Sequence, residues 1–459
     1  MDATAAQWAE EEFGHARLGD KRRTKRLVKM AGQLVETPAG RVTQAFRSEA
    51  QQQAAYDFLE QPETRPAAIA AASAEAGARR CQSHPFVYVP VDGTSLNFAQ
   101  VPDTCHLGPV GSRRKGARGL QVMSAIALSP EGVPLGLVGQ KLWVRPKRRK
   151  RKPARQRPLQ ARETAFWFHV ISEVNAAFDR ADVTTRRWYQ LDRGGDFQEM
   201  LEFVAATPHL VTVRSAQNRR LHHTERLLRE TLSRSPVLGY LELPVSESEQ
   251  RQARLARLSV RARRVRLLIK DRATGAWKEL ELGVVLVREV HTTPAGEKPI
   301  DWLLWSNHPC RHFEEAVAIV DGYAQRFAIE PWHRTWKNDC GIEEAQLRTR
   351  PALEKWATLT AAVAMRLRNL VHLARVEPQA PATRELTQYE IDAAILLSET
   401  TDYRPGEVPP IGKVVDWIAR LGGYTGKSSG GPPGTTVVGR GLERLAGAAK
   451  VLETQARRR

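Results

Sequence analysis

Cysteine is scarce in this chain, with four among 459 residues. Cys81, Cys105, Cys310 and Cys340 stand far apart without a CxxC pair, so neither a thiolate zinc site nor a disulfide framework is encoded. That usage suits a reducing compartment, and a cytoplasmic protein is expected. Long apolar runs are also missing: none reaches the roughly 18 residues that a membrane helix needs. The opening segment, MDATAAQWAEEEFG, is acidic and lacks an apolar core, so no export signal is predicted. Negative charge is the third shortage, because 51 Asp and Glu face 70 Lys and Arg, a net charge of +19. A polyanion is the simplest partner for such an excess.

The cations are unevenly spread. Residues 141–157 carry ten basic side chains and no acidic one, and residues 457–459 are all Arg. Such runs read either as phosphate-contacting surfaces or as solvated faces. Arg22, Arg23, Lys25 and Arg26 lead into Leu27, Met30, Ala31 and Leu34, whose spacing predicts a helix in a small basic N-terminal domain, residues 1–78. After the break at residues 62–66, residues 67–78 predict a further helix.

From residue 85 the period changes. FVYVPVDGTS, GLQVMSAIALS and VPLGLVGQKLWV predict three strands, the last two forming a hairpin. A helix over 164–178, the strand RRWYQLD, a helix over 197–206 and the strand HLVTVRS follow. This order suits an α/β core of the ribonuclease H kind, expected over residues 79–372. YLELPV, ARLSVRARRVRLLI, ELELGVVLVREV and DWLLWS interrupt it as an all-β insertion over about 235–305. Helices are predicted over 313–327, 332–339 and 352–374, then a linker and a helical region over 373–459.

Asp92 and Asp192 each follow an apolar strand, where side chains can converge on a ligand. Two carboxylates there would make a hard-cation site, and a metal pair could activate a water or a 3′ hydroxyl while stabilising a leaving oxygen. Each also has an ordinary reading, Asp92 as the turn residue of Asp-Gly and Asp192 as a cap before Gly194 and Gly195. Tyr323, Arg326, Glu330 and Lys337 are three, four and seven residues apart, so one continuous helix would line them on one face.

That spacing in YAQRFAIEPWHRTWK is similar to the Y-x2-R-x3-E-x6-K signature of DDE transposases in the insertion sequence four family, which includes the transposon five enzyme. VDGTSL resembles the family's first-aspartate motif and LDRGGD its second. LGDKRRTKRL, the VRS containing Arg214, WLLW from Trp302 and ARLGGY resemble family segments in matching order. The resemblance implies that Asp92, Asp192 and Glu330 are the catalytic trio and hold two Mg²⁺ ions per active site, with Mn²⁺ as a substitute. It implies DNA contacts from Tyr323, Arg326, Lys337, Arg214 and Arg193, and recognition of terminal inverted repeats through Arg22, Arg23 and Arg26. Trp302 would stack on a base flipped from the duplex, a contact worth about 1–3 kcal/mol; its ordinary reading is strand core. Further implications are cut-and-paste transposition through a DNA hairpin, capture of target DNA, a homodimer on DNA with its contact near ARLGGY in the C-terminal region, and a bacterial, nucleoid-associated setting.

Three residues depart from the family pattern. Pro331 follows Glu330 and predicts a kink there, since proline removes a helix bond and restricts the residue before it. Met123 stands where relatives often have histidine, and Asp57 where they often have arginine. Two alternatives share the basic charge: a DNA-binding regulator of transposition with an inactive core, and a structure-specific nuclease of ribonuclease H type. Nucleotide hydrolysis is set aside, because the phosphate loop's first glycine is replaced by Leu421 before GKS.

Overall fold

The computed structural model describes residues 3–46, 48–98, 100–102, 105–111, 117–146, 157–222, 227–245, 247, 251–270, 275–426 and 431–456. The basic stretch 147–156 and the terminal arginines 457–459 lie outside them. The chain divides into two compact units. One comprises Met1–His84, Gly93–Thr184 and Ile329–Arg459; the other comprises Pro85–Asp92 and Thr185–Ala328.

The first unit opens with helices α1 (Ala3–Phe13), α2 (Lys21–Glu36), α3 (Val42–Ala45), α4 (Glu49–Glu60) and α5 (Pro66–Arg79). Asp20 starts α2 by accepting the Arg22 N–H at 2.7 Å, and Leu27, Met30, Ala31 and Leu34 form its buried stripe as the spacing predicts. Proline begins α5 at the position where its missing N–H costs nothing.

Strand β1 (Phe86–Asn97) belongs to both units. Its C-terminal half lies beside β3 (Arg118–Leu128), which also pairs with the short β2 (Gly108–Pro109) and forms an antiparallel hairpin with β4 (Pro134–Trp143). Helix α6 (Ala165–Arg180) follows.

The second unit holds β5 (Arg186–Leu191), α7 (Gln198–Ala206), β6 (Leu210–Arg214), α8 (Leu228–Arg234), β7 (Gly239–Val245), β8 (Arg254–Lys270), β9 (Trp277–Glu289), β10 (Asp301–Ser306) and α9 (Phe313–Gln325). Its sheet is mixed. The N-terminal half of β1 runs parallel to β5, and β5 parallel to β6; antiparallel β10, β9, β8 and β7 then continue in that order. The four strands expected as an insertion therefore extend the sheet, because β10 pairs with β6.

The first unit resumes with α10 (Ile329–Arg334), α11 (Arg350–Val376), α12 (Gln388–Ser398), α13 (Ile411–Leu421) and α14 (Thr435–Ala456). Buried Lys355 on α11 donates to the carbonyls of Leu59 and Gln61 at 2.7 and 2.6 Å, and the Trp356 indole donates to Gly40 at 2.7 Å. These bonds tie α11 to the N-terminal helices. Gly422 of ARLGGY also has an internal use: a Cβ there would meet the Val437 carbonyl oxygen at 1.8 Å, and one on Gly441 of α14 the Ile418 carbonyl oxygen at 1.8 Å. Helices α13 and α14 cross where only glycine fits.

Candidate active site

The site in the second unit begins with strand register. Val91 of β1 lies opposite Leu191 of β5, so Asp92 and Asp192 each come one residue past the last paired position of neighbouring parallel strands. Adjacent strands are about 4.8 Å apart, which sets the two residues side by side at the same level of the sheet. Asp92 is not at a strand end, however, since β1 runs on to Asn97. It stands where the strand leaves β5. Asp192 leads into a short 3-10 turn, Arg193–Gly195, and accepts the Gly194 N–H at 2.7 Å, so its capping role is real and engages Oδ1.

Helix α9 delivers Arg326 to the site from its C-cap. It approaches the sheet closely through Gly322, where a Cβ would meet the Gln190 side chain at 2.9 Å and the Tyr88 ring at 3.0 Å. That approach buries Tyr323 completely and carries the chain into a 3-10 turn, Arg326–Ala328. The Arg326 guanidinium lies 3.2 Å from the Asp92 carboxylate, with both side chains largely shielded from water. Burial pushes the Tyr323 phenol above its ordinary range, and the charge of Asp192 adds to this, while the nearby Arg214 and Arg326 pull the other way. Tyr323 therefore stays a neutral donor. Trp302, 7% exposed, sets its ring edge-on to Tyr323 at 5.1 Å and tilted against Phe327 at 5.9 Å. Six of the expected site residues thus gather in this unit: Asp92, Asp192, Arg214, Trp302, Tyr323 and Arg326. Arg193 is exposed on the turn after Asp192.

Asp196, in the same LDRGGD motif, has a different task. Its fully buried carboxylate accepts Ser215 Oγ and the N–H groups of Ala216 and Gln217, and lies 2.6 Å from Arg219. It holds the loop after β6, a role that its side-chain type shares with Asp192 and only burial distinguishes.

Glu330 and Lys337 belong to the first unit. The expected continuous helix is broken there into the end of α9, the 3-10 turn, α10 and a π-helical stretch, Thr335–Asp339. Pro331 is the third residue of α10, where a missing N–H is tolerated, so the irregularity falls before the glutamate at residues 326–328. Glu330 is exposed. Its segment is anchored by residues outside the Tyr-Arg-Glu-Lys spacing: Trp332 and Trp336 stack at 5.6 Å, and their indoles donate to the Ala361 carbonyl at 3.2 Å and to Thr360 Oγ1 at 3.0 Å on α11. Two tryptophans four residues apart were the available signal. Burial lowers the pKa of the Lys337 ammonium, against the opposing pull of Glu343.

Paired aspartates are hard oxygen donors of the kind Mg²⁺ takes, and Arg326 places a positive charge where a cation beside Asp92 would lie. Among the described residues no group of three or more His, Cys, Asp and Glu side chains is gathered to hold a metal ion. In the N-terminal helices, Lys21, Arg22, Lys25 and Lys29 are exposed on α2 and Arg26 is half-buried. Arg23 instead donates to the Leu18 carbonyl at 3.1 Å and lies 3.7 Å from Glu63.

Residues 5–64 match the family model described as transposase DNA-binding. The match covers the helices that carry this basic face, supports a transposase, and makes DNA the partner of the N-terminal segment. Among the described residues, no helix is long and apolar enough to cross a membrane.

Proposed function

We propose that the chain is a DDE transposase that cuts DNA at the ends of an insertion sequence and joins them to target DNA. The observation that carries this reading is the placement of Asp92 and Asp192 beside one another on parallel strands, under a cover of Arg326, Tyr323 and Arg214. Glu330 completes the trio by its position in the Y-x2-R-x3-E-x6-K spacing. Asp92, Asp192 and Glu330 would hold a pair of Mg²⁺ ions, whose chemistry is to activate the attacking hydroxyl and stabilise the leaving oxygen of an in-line displacement. Arg214, Arg326 and Lys337 bind the phosphates flanking the scissile bond, and Tyr323 donates a hydrogen bond to one of them. When DNA enters, Arg326 exchanges its ion pair with Asp92 for a phosphate, freeing that carboxylate as a ligand.

The test is cleavage of a labelled fragment carrying the element's own ends, with Mg²⁺ and with chelator. Wild type should nick only with the metal, and Asp192→Ala should lose at least about a hundredfold in rate. Equal cutting by the variant would remove Asp192 from the site. The regulator reading rests on the family match, which spans only the DNA-binding segment; metal-dependent nicking by wild type excludes it.

A further inference from the structure

Strand β8 pairs with β7 only over Arg254–Val260, and β9 pairs with β10 only over Gly283–Arg288. Beyond those limits, residues 265–270 and 277–282 form a two-stranded ribbon with no third strand among the described residues. One face of its outer part is core: Val265, Leu267, Ile269, Leu280 and Leu282 are buried. The other face is open to water.

On that open face Arg264, Arg266, Leu268 and Lys270 of β8 stand beside Glu281, Glu279 and Trp277 of β9. Both carboxylates are engaged, Glu281 by Arg264 at 2.8 Å and Glu279 by His222 at 2.8 Å. Arg266 stands opposite Glu281 and also acts on it, so the face holds three cations, Arg264, Arg266 and Lys270, against two carboxylates, with Lys270 carrying the excess. Lys270 pairs directly with Trp277 and sets its ammonium 5.9 Å from the ring centre, yet that indole remains 63% exposed. With Leu268, also exposed on this face, the ring makes a small apolar patch beside the Lys270 ammonium. Across β8 and β9 as a whole, nine cations face three carboxylates.

We propose that this ribbon face is a second DNA contact, taking duplex DNA by Arg266 and Lys270 on phosphates and Trp277 on an apolar base or sugar surface. A two-stranded ribbon is narrow enough to enter a major groove, and the charge complements the backbone. The proposal rests on the transposase reading and extends it to a surface outside the expected site residues.

The test is binding of a fluorescein-labelled random-sequence duplex by the full chain, by anisotropy across a salt series without divalent metal. Arg266→Ala/Lys270→Ala should lower the slope of log affinity against log salt by about 1.8, at about 0.9 per lost phosphate contact. Trp277→Ala should weaken binding about tenfold with little change in slope, and Trp277→Phe should restore most of it. Thermal unfolding should be unchanged, as the side chains are exposed. Wild-type slope and affinity in the folded variants would overturn the proposal, as would tighter binding of single-stranded RNA with the same dependence on these residues. A wild type that never nicks, but whose slope falls with the double variant, would sink the catalytic reading and leave the ribbon contact standing.

Discussion

Arg326 is the residue on which the candidate site turns. Its guanidinium neutralises Asp92 inside a shielded pocket, and such a pair costs several kcal/mol when one partner is removed, because the other is left unpaired. Next to it, Trp302 lies almost wholly in packing contact with Tyr323 and Phe327. Both readings of this tryptophan bear on one experiment. Trp302→Ala should cost about 3–5 kcal/mol by truncation of a buried ring, measured by denaturant unfolding. In protein kept folded, the same variant should impair hairpin formation more than the first nick. A stability loss with equal damage to both steps would make the residue purely structural.

At the scale of elements, the turn from β9 to β10 positions Trp302, and a buried ion network closes it. Burial pushes the Glu289 carboxyl up, but bonds from Arg254, the Ile300 N–H and Thr292, with the charge of Arg254, outweigh it and leave the pKa lowered to about 2. A carboxyl held below its unfolded value stabilises the fold above that value, 4.5, and the contribution is lost as pH falls towards 2. Acid unfolding of the second unit should therefore steepen between these limits in wild type. Glu289→Gln should be less stable by about 3 kcal/mol near neutrality and flat across that acid range; an unchanged acid profile would remove Glu289 from this role. Glycine acts at the same scale in α13 and α14, where Gly422 and Gly441 serve a crossing within the chain, separate from the dimer contact that the family resemblance places near ARLGGY.

At the scale of the whole molecule, the net charge of +19 sets the expectation of steep salt dependence in DNA binding. The exposed face of α2 should carry a share of it. Arg22→Ala/Lys25→Ala/Lys29→Ala should lower the salt slope by up to about 2.7 and leave unfolding unchanged. Arg23→Ala should do the reverse, lowering the melting temperature through loss of its bond to Leu18 while barely moving the slope. Identical behaviour of the two variants would contradict this division of labour.

Much of this is legible in the order of residues alone. The apolar periods of α2, α6 and β1 locate those elements, the order of strands and helices sets the mixed α/β class, and motif and spacing mark Asp92, Asp192, Tyr323 and Arg326, which the structure gathers in one unit. Periodicity reports which face is apolar, and that depends on neighbours a few residues away. What the tertiary structure alone decided is which charged groups meet. Arg326 pairs with Asp92, 234 residues earlier; Asp196 is buried in a loop network while Asp192 is not; the four later strands extend the sheet; and the helix breaks before Glu330. Each of these depends on distances between segments remote in sequence, fixed by close packing such as that of Gly322 on the sheet, and no local pattern of residue types encodes them.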